Sequence, residues 1–448
     1  MTHARWKREG YDIELLVRKL NDARQKDPAS GEVTFTAGRW FEDAALAVES
    51  GTEFLSDIPQ ADQRFIVSRA MVEAPYPLTP NSLIGEINRR AEAFLRKPPR
   101  PYVLVTSISA RHFAELSRSE VSGRRMYFRQ DLPPHLRASH EQARDRSERK
   151  LLGPLPNPVY PYQRYTAVWI HTRGRSHWEA AIRALDALDL LRGIWNFALN
   201  LRKWSRTTGG ARRPVNQLLL RPVHSLHDPD GSLAPMLDWH ESSEYIESEY
   251  IKPVYSSREL SQHWTKVKKV EDDVRQWLAR SAYEARLEDA LRRYTRALDS
   301  FDWEASFLRL WGLLETLTGT QPHESHDLTV KRATFLYEDP EREFHVQVLN
   351  HLRHYRNRSV HGGESSETIE AYLYQLKRYV EELLIFHLDP PNYTRFKTIA
   401  QAAAFLDLPP DPADLRRRVG ELHRDSERVR ARAQLHKWGE RYRSGPPV

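Results

Sequence analysis

The segment LRHYRNRSVHGG, residues 352 to 363, gathers ionisable side chains at what reads as the end of a helix. Arg356 and His361 lie five positions apart and Asn357 follows the arginine, giving the pattern R-N-x-x-x-H. Histidine titrates near neutral pH and can take or give a proton, while a guanidinium clamps phosphate oxygens and offsets charge developing on them. Together they suit cleavage of a phosphodiester without a metal ion, with Asn357 orienting either group. Arg353, His354 and Arg358 are candidates to bind flanking phosphates. Glu315, inside an upstream apolar segment, is a candidate to hold Arg356 from behind.

The spacing alone is common in so arginine-rich a chain, since Arg258 precedes His263 and Arg418 precedes His423 by the same interval. Context separates the pair at 356 and 361. It alone ends a long apolar helical pattern, is followed by Gly362 and Gly363, and precedes another long helix begun at Ser365 or Ser366. On an unbroken α-helix five residues turn through about 140°, so the two side chains would not share a face. The sequence therefore predicts one of two arrangements. Either the helix breaks at the glycines and swings His361 back toward Arg356, or two copies of the chain meet about a two-fold axis and share the site. The bland alternative is a helix C-terminus whose basic residues complement its dipole.

The elements that must position these residues read as an α+β N-terminal part followed by an all-α bundle, mainly helical overall. Short β-like runs, VTFT at 33 to 36 and YVLVTSI at 102 to 108, alternate with helical patterns such as Asn81 to Arg96. Prolines 154, 156, 158 and 161 mark a first boundary. YTAVWIHT then reads as a strand, and Ser176 with Glu179 as the reciprocal cap opening a helix whose face is Trp178, Ile182, Leu185, Leu188, Leu191 and Trp195. LLLRPV reads as a strand, HDPDGS as a turn, and HSLHD between them as a loop that holds no metal. TTGGARRP reads as a basic loop. From Arg258 onward only helical patterns follow: Ser281 to Ser300, Trp303 to Leu317, Glu341 to Arg358 and Ser366 to Leu388. Gly312 within the second, despite its helix cost of about 1 kcal/mol, predicts a closely packed neighbour. The expected segments are residues 1–160, a second α+β segment 161–255, a helical domain 256–390, and a basic helical extension 391–448.

The motif in its helical setting resembles the R-x4-6-H signature of HEPN domains, in which a polar residue usually follows the arginine, as Asn357 does. SFLRLWGLLETLTG, followed by a loop and the motif helix, is similar in particular to the Apea-like HEPN branch, known mostly from bacterial defence and toxin systems. The similarity covers about Arg258 to Leu388 and does not extend over the N-terminal 250 residues. The resemblance implies RNA cleavage by the ribose 2′-OH, independent of metal, at a site formed by two protomers. It assigns Arg356 and His361 to catalysis and Asn357 to their support, and leaves open an antitoxin or trigger protein as a further partner. The N-terminal region would then restrain or sense. A second expectation is a HEPN protein without catalysis that binds RNA or a nucleotide and dimerises through its helices.

Composition bounds these readings. With 448 residues the chain can bury more than one core, and its net charge of +7 favours polyanionic partners. Cysteine is absent, which excludes disulfides, thiol nucleophiles and cysteine metal sites. No apolar run is long enough to cross a membrane, so the expectation is a soluble, cytoplasmic protein without cofactors.

Overall fold

The computed structural model describes residues 2–7, 10–27, 33–35, 39–152, 165–201, 203, 214–221, 223–240, 257–338, 341–362, 366–389, 395–409 and 411–443. The proline-rich boundary at 154–161 and the loop at 207–213 lie outside the described residues. The chain divides into two compact units, Met1–Asn196 with Asn216–Lys268, and Phe197–Val215 with Lys269–Val448.

The first unit opens with β1 (Ala4–Trp6), α1 (Ile13–Ala23), β2 (Arg24–Lys26), β3 (Val33–Phe35), α2 (Arg39–Gly51), β4 (Thr52–Phe54), α3 (Gln60–Glu73) and α4 (Pro80–Arg96). β1 pairs with β4 and β2 with β3, both antiparallel. Thr79 opens α4 by accepting the Ser82 N–H at 3.1 Å, and Pro80 fits the first turn because it has no N–H to leave unpaired. Val17, Leu20, Val48, Ile66, Leu83 and Ile87 close a common core.

There follow β5 (Arg100–Ile108), β6 (Arg118–Val121), β7 (Arg124–Arg129), α5 (Pro134–Leu152), β8 (Thr166–Gly174), α6 (His177–Asn200), β9 (Val223–His227) and β10 (Leu233–His240). The six strands form one antiparallel sheet in the order β10-β9-β5-β8-β7-β6. Four successive residues of β5, Val103 to Thr106, are buried, as a strand covered on both faces requires. Val103 and Val105 pack with Leu136 of α5. Phe128 of β7 meets Trp195 of α6 at 5.5 Å between ring centroids.

Three sequence expectations change here. Ser176 caps α6 by accepting the Glu179 N–H at 2.9 Å, but Glu179 reaches back to the N–H of Arg175 rather than of Ser176. α6 is also buried nearly all round, through Ala180, Ala181, Ala184, Leu188 and Leu191, while Trp178, expected on the buried face, is 40% exposed. Finally, the strand expected at LLLRPV starts only at Val223, with Leu220 contributing a single bridge to Ile108. Pro222 supplies no ladder donor, so pairing gathers downstream of it and the HSLHD segment enters the sheet instead of a loop.

The second unit takes in the latter half of α7 (Ser257–Arg280), then α8 (Glu284–Leu298), α9 (Trp303–Leu317), α10 (His326–Thr334), α11 (Glu341–Gly362) and α12 (Ile369–Leu388), and after these the helices Ile399–Leu406 and Pro412–Arg443. It holds no strand among the described residues. α9 starts at Asp302, which accepts the Glu304 and Ala305 N–H groups at 2.8 and 3.2 Å. Its Phe307, Leu310, Trp311, Leu314 and Leu317 are buried as their spacing predicts, against α8 and α12. The terminal helix begins at Asp411, and Arg417–Asp414 and Arg418–Glu421 pairs lace its exposed surface. Among the described residues no helix is long and apolar enough to cross a membrane.

Candidate active site

α11 positions the motif. Leu349, Leu352 and Tyr355 recur at three-residue intervals and are buried, which fixes the rotation of the helix in the bundle. Tyr355 locks it: its hydroxyl donates to Glu304 Oε1 at 3.0 Å, and its ring meets Phe307 at 5.2 Å and Tyr372 at 5.0 Å. The next residue, Arg356, is half-buried, and its Nη1 donates to Asn357 Oδ1 at 3.3 Å. Asn357 therefore touches the arginine it was expected to orient. No ion pair engages Arg356 among the described residues.

The helix does not break where one of the two expected arrangements needs it to. α11 runs through Arg356 and His361 and stops after Gly362, so both residues sit on one continuous rod, about 140° apart around its axis. The side chain of His361 lies outside the described residues, as does Gly363. Arg353 forms an ion pair with Asp327 of α10 and is largely covered, which makes it a strut between two helices as well as a cation. His354 and Arg358 are exposed.

Arg356 lines a cavity of about 900 Å³ together with Arg286, Gly312, Glu315, His326 and Lys397. Gly312 was expected against a close neighbour; a Cβ built there meets nothing within 4 Å, because the glycine faces this space. Glu315 shares the cavity with Arg356 but does not hold it. Its Oε1 accepts from Trp311 Nε1 at 2.8 Å, and His326 Nδ1 lies 2.8 Å from the same oxygen, outside hydrogen-bonding direction. The carboxylate is thus oriented by α9 itself, with the first residue of α10 beside it.

The walls are tied by two buried polar groups. Arg332 forks onto Asp407 at 2.8 and 3.0 Å and donates to the Thr318 carbonyl at 3.1 Å, joining the end of α9 to the helix Ile399–Leu406. His387 Nε2 lies 2.8 Å from the Leu317 carbonyl, which can only accept, so Nε2 carries the proton and Nδ1 accepts the Tyr283 hydroxyl at 3.1 Å. Burial pushes His387 down to about 4 and Tyr283 up to about 12, so the pair is neutral. Sequence reasoning missed His326 and Arg332. The Ser325 cap of α10, with Ser325 Oγ accepting the Asp327 N–H at 3.2 Å, was a legible signal that His326 opens a helix.

A second polar cluster lies in the sheet. Ser225 Oγ stands 2.6 Å from His140 Nδ1 and 2.8 Å from His227 Nε2, and His224 Nδ1 bonds Thr106 Oγ1 at 2.9 Å. Burial lowers His140 and His224 to about 3 and lowers His227 as well. These are neutral imidazoles, and Ser225 is fully buried, so the cluster satisfies the sheet's interior. Among the described residues no group of three or more side chains is placed to hold a metal ion. No family model matches the chain, and neither a curated protein nor a solved structure matches it.

Proposed function

We propose that the helical unit is a HEPN-type endoribonuclease that cuts RNA by attack of the ribose 2′-OH, with Arg356 clamping the phosphate, His361 transferring a proton and Asn357 steadying the arginine. One observation supports the reading: α11 continues unbroken from Arg356 through His361, which speaks against the folded-back arrangement and is compatible with a second copy of the chain completing the site. A half-buried arginine without a carboxylate partner among the described residues, at the wall of a cavity, supports phosphate binding. Service in antiviral defence, the cytoplasm as compartment, and a restraining or sensing role for the N-terminal unit follow from the resemblance alone and belong to the same proposal.

The test uses the full-length chain and total RNA, with and without EDTA. Wild type should release 2′,3′-cyclic phosphate and 5′-hydroxyl ends in both buffers, and His361→Ala should release none. Forced heterodimers of wild type with His361→Ala should fall below the fraction of intact subunits. Ends bearing 5′-phosphate, loss of activity on chelation, or cleavage by His361→Ala would overturn the assignment. Mixed dimers that keep half the activity would show a self-sufficient site in each chain.

A further inference from the structure

Arg286, Arg356 and Lys397 give the 900 Å³ cavity three cations, and none has a carboxylate partner among the described residues. Glu315 is the one acidic residue of the lining. A bare carboxylate beside unpaired cations would ordinarily close on one of them. Glu315 instead has both neighbours, Trp311 and His326, on Oε1, while Oε2 has no hydrogen-bond donor among the described residues. The cavity therefore presents three cations and, on α9, a fixed acceptor that none of them engages. Its volume falls in the range of small-molecule sites.

A ligand matching both features carries a negatively charged group and N–H donors, as a nucleotide does. The bases differ in what they offer a carboxylate. Guanine presents two adjacent donors, N1–H and N2–H, that fit its two oxygens in parallel. Adenine and cytosine place one amine beside a ring nitrogen that would face the carboxylate's lone pairs, and uracil sets one N–H between two carbonyls. Oε1 retains capacity for a second bond beside that from Trp311, because a carboxylate accepts about four, two on each oxygen. We infer that the cavity takes one guanine nucleotide, with its phosphate on Arg356 and its base read by Glu315, so that Glu315 sets specificity. The inference rests on reading Arg356 as a phosphate-binding group. Gly312 contributes by absence, leaving room where any side chain would intrude.

Calorimetric titration of the full chain with GMP, AMP, CMP and UMP tests it, with circular dichroism to establish that each variant is folded. Wild type should bind GMP at least tenfold more tightly than the other three. Glu315→Gln should erase that preference, and Arg356→Ala should weaken all four alike. Gly312→Leu, which projects into open space, should abolish GMP binding in a folded protein should Glu315→Gln fail to fold. Equal affinities in wild type, no binding, or a uniform loss in Glu315→Gln would overturn it. RNA cleavage without nucleotide preference would sink this inference and spare the nuclease; guanine preference in a protein that cuts no RNA would do the reverse.

Discussion

Lys377 on α12 is 1% exposed, and its ammonium lies 2.7 Å from Glu381 Oε1 and donates to the Asn200 carbonyl at 2.7 Å. Tyr294 of α8 donates to the same carboxylate oxygen at 2.5 Å. Burial lowers the lysine and raises Tyr294, with Glu381 opposing the first shift and adding to the second. Lys377→Met removes the ammonium from this buried carboxylate, and a buried charge stripped of a partner costs about 3–5 kcal/mol. Replacing both charges, as in Lys377→Met with Glu381→Leu, removes the desolvation of two ions. The Asn200 carbonyl keeps the Lys203 N–H at 3.0 Å, so the remaining penalty is chiefly the Tyr294 hydroxyl, about 1–3 kcal/mol. The double variant should thus be no less stable than Lys377→Met, and the cycle should show a coupling of about 2 kcal/mol or more. A chain of two units does not unfold in one step, so the reading belongs to native-state hydrogen exchange of the α12 amides. Single variants within about 1 kcal/mol of wild type, or a double variant equal to their sum, would refute the reasoning.

Acid should loosen the helical unit through His387. Its folded pKa of about 4 lies below the ordinary 6.5, so the unfolded chain binds more protons between those values, and stability present above pH 6.5 falls by roughly 3 kcal/mol by pH 4. His387→Asn should flatten that part of the pH profile of α12 protection, and an unchanged slope would contradict it. Gly312→Ala should stabilise by up to about 1 kcal/mol because the helix gains and nothing is struck. By contrast, Gly231→Ala, at φ +91 and against the His135 carbonyl, should lower the melting temperature. Arg356→Lys should lose RNA cleavage nearly as fully as Arg356→Ala, since the ammonium keeps the charge without the planar fork; a rate near wild type would reduce the arginine to simple electrostatics.

What the sequence made legible was local. The stripe from Phe307 to Leu317 and the cap at Ser176 depend on neighbours within one or two turns, and each helix they open or face is present. The misreadings came where the decisive partner lay elsewhere. A helix covered on all sides has no single apolar face, so the Trp178 stripe could not report on α6. Gly312 was read as close packing because a glycine inside a helix has two opposite explanations, contact and vacancy, and only tertiary structure distinguishes them. Glu315 was expected to hold Arg356; it lines the same cavity but bonds Trp311, one turn away on its own helix, and needs no help from α11.

Gly362 and Gly363 signalled a stop, and the backbone turns out to be helical through the first of them. A stop signal fixes where a helix ends, not what precedes it, so His361 stays in register with Arg356 instead of folding toward it. Moving the histidine back would cost the last helical turn its backbone hydrogen bonds, with only a side-chain approach in return. Pairing two copies of the same helix end leaves every one of those bonds intact. On the proposed function, the economical way to bring an imidazole and a guanidinium to one phosphate from such a rod would be between chains, and the mixed-dimer experiment tests that proposal directly.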